Sequence, residues 1–340
     1  MTSLISYSAA GAILLAALLL PFIMGFFGKN KFDVNGKTVL LTGASEGMGM
    51  NVGIQLAQKG ANIVIVARTV GKLETAIAEI QSAAKSPSQR FKFISADLSS
   101  PEAAPAVIAE ATAWNNGQPV DIVWCIAGAS YPSLFLDTPA GKARQMMDVN
   151  YWTCWDMAQA VLPQWLSPTA EKGKERHLIF TSSVLAFYTT AGYAPYSPSK
   201  AAIRSLSDTL AQEVLLYGED VKIHTVFPGT IQSNGLEQEN KTKPEITFIL
   251  EESDPIQSAE VVAANAISGL ENGDYLITVG WLGSLMRSCA WGGVRRNNWV
   301  LDTVMSWITS IVWFFVGMDL DGKVRKYGRE HGHPSTYKKA

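Results

Sequence analysis

The sequence predicts an α/β fold, a doubly wound parallel sheet of about seven strands with helices on both faces and an apolar segment at each end. Three observations predict it. Between residues 37 and 279, short β-branched runs alternate with amphipathic helical stretches, which is how the strands of a parallel sheet and their crossover helices read. The first run leads directly into a glycine-rich turn that opens a helical pattern. At 9–27 and again at 303–318 the chain carries no charge and is rich in large apolar side chains.

The strands are expected at 38–42, 62–67, 90–95, 121–125, 177–181, 222–226 and 275–279. No internal repeat or low-complexity tract interrupts them. Across the 340 residues, 47% are hydrophobic and 17% charged. That balance excludes disorder and leaves an apolar surplus that a water-soluble core does not need, so part of the chain is expected to meet lipid. With 28 Lys and Arg against 30 Asp and Glu, the formal charge is -2. No cationic field exists to hold a phosphate backbone, and nucleic acid is excluded as a partner. Cys125, Cys154 and Cys289 are too scattered for a disulfide framework or a metal site and are expected to be reduced. The histidines His177, His224, His331 and His333 form no ligand spacing, so no metal is expected.

The terminal segments suggest a membrane anchor at 1–28, a central α/β domain at 29–280, whose turn and cluster residues follow below, and an apolar C-terminal region with a polar tail at 281–340. The 9–27 stretch is close to the roughly 20 residues a helix needs to cross hydrocarbon. It has no preceding basic residue and no small-x-small site, which favours an anchor over a cleaved signal. Lys29 and Lys31 are the first cations after it, placing the remainder of the chain on the cytoplasmic side. The 303–318 stretch has Arg295 and Arg296 before it and Lys323, Arg325 and Lys326 after it, so charge gives no orientation. A short crossing, a re-entrant hairpin, an in-plane helix and a helix docking on a partner subunit all remain open; membrane association is the favoured class.

The first strand enters Thr42-Gly43-Ala44-Ser45-Glu46-Gly47-Met48-Gly49. Glycines at this spacing, after a buried strand and before a helix, suit a Rossmann-like dinucleotide site. Gly43 lets the chain turn, Gly47 lets backbone approach a pyrophosphate, Gly49 lets helix and sheet pack closely, and the helix N-terminus faces the anion. Ser45 and Glu46 lie within the turn and are counted as cofactor contacts. Where an NAD-selective site offers a carboxylate at the end of the second strand, this chain has Val66-Ala67-Arg68 followed by Lys72. That positive charge suits a 2′-phosphate, and NADP(H) is expected over NAD(H). Asp97, with Leu98 beside it, follows the third strand at a position suited to the adenine amino group; its plain alternative is a turn or capping role.

The strongest cluster is Ser182-Ser183 at the end of the fifth strand and Tyr196-Ser197-Pro198-Ser199-Lys200 at the start of the next helix. A spacing of four puts Tyr196 and Lys200 on one helical face. A phenol, with its ordinary pKa of about 10, becomes a usable acid–base group when a neighbouring cation favours the phenolate. Lys200 is the expected cation, and its ammonium also suits the nicotinamide ribose. In the reducing direction Tyr196 is expected to donate a proton to a substrate carbonyl that a serine hydroxyl holds, as NADPH supplies hydride to the carbon.

These residues, in this order, resemble the short-chain dehydrogenase/reductase family over roughly residues 37–280, with Pro228-Gly229 after the sixth strand completing the pattern. The resemblance implies that Asn150, in Asp148-Val149-Asn150, maintains a water-linked proton relay to the active-site lysine. Ser183, 13 positions before Tyr196, matches the family spacing better than Ser182. Cys125-Ile126-Ala127-Gly128 departs from the family's usual Asn-Asn-Ala-Gly, which puts the asparagine contacts in question but keeps the approach of Gly128 to the cofactor. Within the family, the apolar ends, this cysteine variant and the segment 235–244 are similar to the branch that reduces the long-chain ketone 3-ketodihydrosphingosine (3-dehydrosphinganine) to sphinganine in sphingolipid biosynthesis. That resemblance implies a long-chain sphingoid ketone substrate, a lipid bilayer and the cytosolic face of the endoplasmic reticulum. A steroid, retinoid or acyl-chain carbonyl is the competing substrate class, and a non-catalytic nucleotide-binding scaffold the competing role. Members of the family often pair through helices, so a homo-oligomer is the expectation, with no interface identifiable from sequence. The sequon Asn240-Lys241-Thr242 is expected to stay bare in the cytosol.

Overall fold

The computed structural model describes residues 30–290 and 296–331; the anchor expected at 1–28 lies outside the described residues. Seven strands form one sheet: β1 (Thr38–Thr42), β2 (Asn62–Ala67), β3 (Phe91–Ser95), β4 (Ile122–Cys125), β5 (Arg176–Thr181), β6 (Val221–Phe227) and β9 (Leu276–Thr278). Their order is β3-β2-β1-β4-β5-β6-β9, and every pair is parallel. Two further strands, β7 (Ile231–Gln232) and β8 (Gln257–Ser258), pair only with each other. Each expected strand is present, with ends moved by no more than a residue or so at either side.

Side chains alternate between two cores, one on each face of the sheet. Leu40, Val64, Val123, Leu178 and Ile223 point to one side, where α3 (Ala103–Trp114), α5 (Thr153–Trp165) and α6 (Ser197–Glu213) cover them. Val39, Leu41, Ile63, Trp124 and Ile179 point to the other, under α1 (Gly47–Gln58), α2 (Val70–Ser82) and α9 (Ala259–Asn272). Because both faces are buried, the strands read as continuous apolar runs with little polar alternation. After β1 the chain winds outward to β2 and β3 and then returns to place β4 on the opposite side of β1. The direction of winding reverses there, and the crevice at the carboxyl ends of β1 and β4 is the natural ligand position.

Three helices frame the far side of that crevice: α7 (Asn234–Asn240), α8 (Glu245–Glu251) and α10 (Trp281–Cys289). The C-terminal apolar segment is part of one continuous helix, α11 (Trp299–His331), 33 residues long, or about 50 Å. Near its start, buried Asp302 faces Arg287 of α10 at 3.9 Å; near its end, the buried Tyr327 hydroxyl donates to Glu245 of α8 at 2.8 Å. Thr309 is buried between them, while Trp307, Ile311, Phe314, Phe315 and Met318 are exposed on the outer side. The continuous helix removes the re-entrant hairpin from the alternatives. Its length and composition satisfy those of a membrane crossing, yet both of its ends rest on the α/β unit.

Candidate active site

The turn after β1 is shaped by backbone. Gly43 and Gly47 have φ of +65° and +58°, the left-handed region that disfavours a Cβ. A Cβ on Gly43 would also lie 2.6 Å from the Ala127 Cα, so the loop after β4 passes directly over it. Gly49 abuts the Gly43 carbonyl and Ala44, which allows α1 to start against the turn. Thr42, which the sequence reading left unassigned, latches the two loops: its Oγ1 accepts from the Ile126 and Ala127 N–H groups, each at 3.1 Å. The open N-terminus of α1 and these glycines leave a cradle suited to a pyrophosphate. Ser45 lines it.

Glu46, expected as a cofactor contact, reaches sideways. Its carboxylate accepts from Lys72 at 2.9 Å and from Asn234 of α7 at 3.1 Å, and these bonds lower its pKa. Lys72 therefore stands at the expected phosphate position already paired. Arg68 is exposed at the end of β2 and lines the same cavity as Lys72. Asp97 Oδ1 accepts from the Ser99 hydroxyl at 2.8 Å and its N–H at 3.1 Å; the carboxylate is held below its usual range by those bonds. This is the turn role, played at the cavity wall beside Leu98.

At the ends of β5 and β6 the predicted residues converge. Ser182 lines the crevice but its hydroxyl is engaged: Oγ donates to the Lys200 carbonyl at 2.7 Å and the N–H to Val226 at 2.8 Å, pinning α6 to the sheet. Ser183 Oγ accepts from the Leu185 N–H at 3.2 Å and hydrogen-bonds toward Tyr196, pulling the phenol's pKa down. The doublet is thus divided, with Ser183 facing the phenol. Lys200 is buried, donates to the Thr181 carbonyl at 3.1 Å and lies 5.7 Å from the centre of the Tyr196 ring. Burial lowers its pKa to about 8.

The expected lowering of Tyr196 by Lys200 is not what dominates here. Burial first, and then the carboxylate of Glu239, push the phenol up and hold it protonated. Desolvation penalises the charge of Lys200 and the charge of the phenolate alike. The phenol beside Ser183 therefore carries the proton that a carbonyl reduction must deliver.

Asn150 is fully buried in a π-helical turn, Asp148–Trp152. Its amide donates to the Met146 and Ala129 carbonyls at 2.9 Å and accepts from the Ala129 N–H at 3.1 Å. The bond to Met146 competes with the helix ladder, a physical reason for the wider turn. A Cβ on Gly128 would lie 2.6 Å from Asn150 Oδ1 and 3.3 Å from Lys200 Nζ, so only glycine lets these two groups flank the loop. The Pro228 carbonyl accepts from the Val184 N–H at 3.0 Å, and Gly229 follows it on the cavity wall. In place of the family asparagine, Cys125 is buried against Cys154 of α5, a contact that, with burial, pushes its thiol pKa up.

The glycine turn, Arg68, Lys72, Asp97, Gly128, Ser183, Tyr196, Lys200 and Gly229 line one cavity of about 1080 Å³, large for one drug-sized ligand and roomy enough for a dinucleotide and an elongated second molecule; Asn150 stands behind its wall. The far wall of the cavity is built from the segments 235–244 and 303–318 that the sequence marks out, with Tyr193 and Glu251 joining them without a sequence signal. Tyr193 donates to Glu239 at 2.7 Å, and Lys243 pairs with Glu239 at 3.0 Å and Glu251 at 2.8 Å. Trp313, Val316 and Leu320 of α11 also line it, and Trp313 stacks edgewise on Tyr188 with ring centres 4.7 Å apart.

The short chain dehydrogenase family model matches residues 37–244. The 3-ketodihydrosphingosine reductase gsl-3 of Neurospora crassa is 50% identical, the match covering 98% of this chain and 94% of that one. The 3-ketodihydrosphingosine reductase ksrA of Aspergillus fumigatus is 44% identical, covering 96% and 95%, and TSC10 of Cryptococcus neoformans, of the same name, 36%, covering 93% and 94%. Among solved structures, a short chain dehydrogenase/reductase from Burkholderia phymatum in complex with NAD has a TM-score of 0.64 at 18% identity, covering 73% of this chain and 90% of that chain. A short chain dehydrogenase from Burkholderia cenocepacia in complex with NADP has 0.59 at 18%, covering 77% and 95%. Both share the fold. From glycine cradle to Tyr196 and Lys200, and along nearly its whole length with the reductases just named, this chain belongs to the short-chain dehydrogenase family.

Proposed function

We propose that this chain reduces 3-ketodihydrosphingosine to sphinganine with NADPH in sphingolipid biosynthesis. The observation that carries the reading is the joining of a dinucleotide cradle and the Ser183, Tyr196 and Lys200 group in one cavity, in a chain matched end to end by relatives with that reductase name. The glycine turn, Arg68, Lys72, Leu98 and Gly128 are suited to hold the cofactor, with Lys200 at the nicotinamide ribose. NADPH, when bound, supplies the hydride that reaches the ketone carbon. Ser183 holds the ketone oxygen, and Tyr196 gives it a proton. Lys200 offsets the negative charge that proton transfer leaves on the phenol oxygen. Asn150 keeps the loop at Gly128 in place and lies close enough to Lys200 to support a water-linked proton supply. Arg68 and Lys72, with no carboxylate at the end of β2, support NADPH over NADH; the pairing of Lys72 with Glu46 leaves Arg68 as the more available partner for a 2′-phosphate.

The membrane is proposed as the source of substrate. Two features support it: the uncharged stretch at 9–27, and α11, whose outer side exposes Trp307, Ile311, Phe314 and Phe315 while its inner side lines the cavity. Drawing a long-chain ketone through water would cost about 0.8 kcal/mol per exposed methylene, which a catalyst lying at the bilayer avoids. The proposed location is the cytosolic face of the endoplasmic reticulum, where exposed Asn240 stays unglycosylated; a glycan there would place the domain in the lumen.

The test is purified protein offered ketosphinganine, a ketosteroid and retinal with NADPH and with NADH. Turnover of ketosphinganine, faster with NADPH, is expected. Turnover of the steroid or retinal alone would reject the substrate, and NADPH binding without any turnover would favour a scaffold.

A further inference from the structure

The acidic wall beside Tyr196 has no role yet toward the substrate. Glu239 lines the cavity, accepts from the Tyr193 hydroxyl at 2.7 Å, and acts on the Tyr196 phenol through its charge; the Tyr193 and Tyr196 rings are 6.0 Å apart. Glu239 and Glu251 share the ammonium of Lys243, whose side chain is only 3% exposed. Asp254 lines the cavity next to them, its carboxyl raised to about 6 by burial and by Glu251. Two carboxylates on one ammonium, with a third close by, leave this wall with negative charge to spare. At the opposite end Arg68 and Lys72 are balanced by Asp97 and Glu46.

The proposed substrate has a feature that matches. Its carbon next to the ketone bears a primary amine, an ammonium at neutral pH, and the next carbon bears a hydroxyl. A ketone oxygen at Tyr196 puts that ammonium on the carbon adjoining the reacting centre, and Tyr193, which donates to Glu239, has its ring 6.0 Å from that of Tyr196. We propose that Glu239, backed by Asp254 and Glu251, binds the ammonium group adjacent to the ketone and so selects amino ketones over neutral ketones. This rests on the reductase reading above.

The placement also bears on the chemistry. The Glu239 carboxylate makes the phenol a weaker acid, because its charge disfavours the phenolate left after donation. A substrate ammonium beside Glu239 cancels that charge and restores the donor. With a neutral ketone the wall keeps two carboxylates on the single Lys243 ammonium, and their surplus charge goes on acting on the phenol. Selection thus acts on the chemical step as well as on binding.

The competing role for Glu239 is a staple, holding α7 to Lys243 and α8 with no contact to substrate. The experiment compares kcat/KM for 3-ketodihydrosphingosine with that for the 1-hydroxy-3-ketone of the same length lacking the amine, in the wild type, Glu239→Gln and Asp254→Asn. NADPH affinity serves as the folding control. In Glu239→Gln the preference for the amino ketone should fall on the order of 10- to 100-fold, as for loss of a charge-assisted bond, and in Asp254→Asn a few-fold. Equal loss on both ketones would assign the staple and overturn the proposal, as would a wild type with no preference between them. If Glu239→Gln does not fold, an unchanged preference in Asp254→Asn would overturn it. A wild type that reduces neither ketone but does reduce a steroid or retinal would instead sink the substrate reading.

Discussion

The two ends of the cavity are held in shape by different parts of the chain. At the dinucleotide end, backbone does the shaping: Gly43 and Gly47 sit at positive φ, Gly49 admits the helix start, and Thr42 ties adjacent loops through its hydroxyl. At the substrate end, side chains from distant segments do it: Tyr188 against Trp313, Lys243 between Glu239 and Glu251, and Tyr327 onto Glu245. Backbone shape can bind a pyrophosphate whatever is being reduced, so it suits a part shared across a family. Side-chain charge and α11 can change without disturbing the sheet, and that is where selectivity among ketones belongs. Tyr196 stands at the boundary, on a helix pinned to the sheet by Ser182 yet within the field of Glu239.

If the ends are separable, changes at each should be felt on its own side. The largest effect is expected from Tyr196→Phe, which removes the proposed proton donor and should lower ketone-dependent NADPH oxidation about 10²- to 10⁴-fold, with NADPH binding followed by its fluorescence unchanged. Loss of binding as well would show that the boundary residue also shapes the cofactor end. Next is Gly43→Ala, which forces a Cβ into a left-handed residue and against Ala127; a loss of roughly 2–4 kcal/mol in thermal unfolding is expected, with NADPH affinity lost in step. Intact affinity would mean the turn is not the cradle. Trp313→Ala opens the far wall and should raise KM for the long-chain ketone by about 10-fold with NADPH affinity unmoved; an unchanged KM would separate α11 from the substrate.

The smallest effect concerns pH. Burial depresses Lys200 to about 8, so its ammonium is present below that pH and lost above it. Since the charged form supports the phenolate that donation leaves behind, kcat/KM for reduction should fall by about fourfold between pH 7 and 8.5. A profile flat to pH 9.5 would remove the lysine from that role.

Sequence legibility follows the same division. The seven strands could be read because each is buried on both faces and therefore forms an apolar run bounded by turn residues. The cradle was legible because its glycines, strand and helix are neighbours in the chain, and Tyr196 with Lys200 because helix geometry fixes a four-residue spacing. The choice between Ser182 and Ser183 needed the bond from Ser182 to the Lys200 carbonyl. Thr42 escaped notice because its partners, Ile126 and Ala127, lie on another loop. The segment 235–244 stood out as unusual, but Glu239 and Lys243 gained meaning only when folding brought them to Tyr193 and Glu251. The apolar stretch 303–318 gave hydropathy without direction; the ties of Asp302 and Tyr327 to the catalytic unit are contacts between segments far apart in sequence, which periodicity cannot reveal.

The most direct measurement follows the hydrogen itself. Purified protein is given 3-ketodihydrosphingosine and NADPH carrying deuterium at both C4 positions, and the product is analysed by mass spectrometry. The account predicts sphinganine with one deuterium on the carbon that bore the ketone, and no such product from Tyr196→Phe on the same timescale. Sphinganine without deuterium, or equal labelled product from the Tyr196→Phe variant, would contradict it.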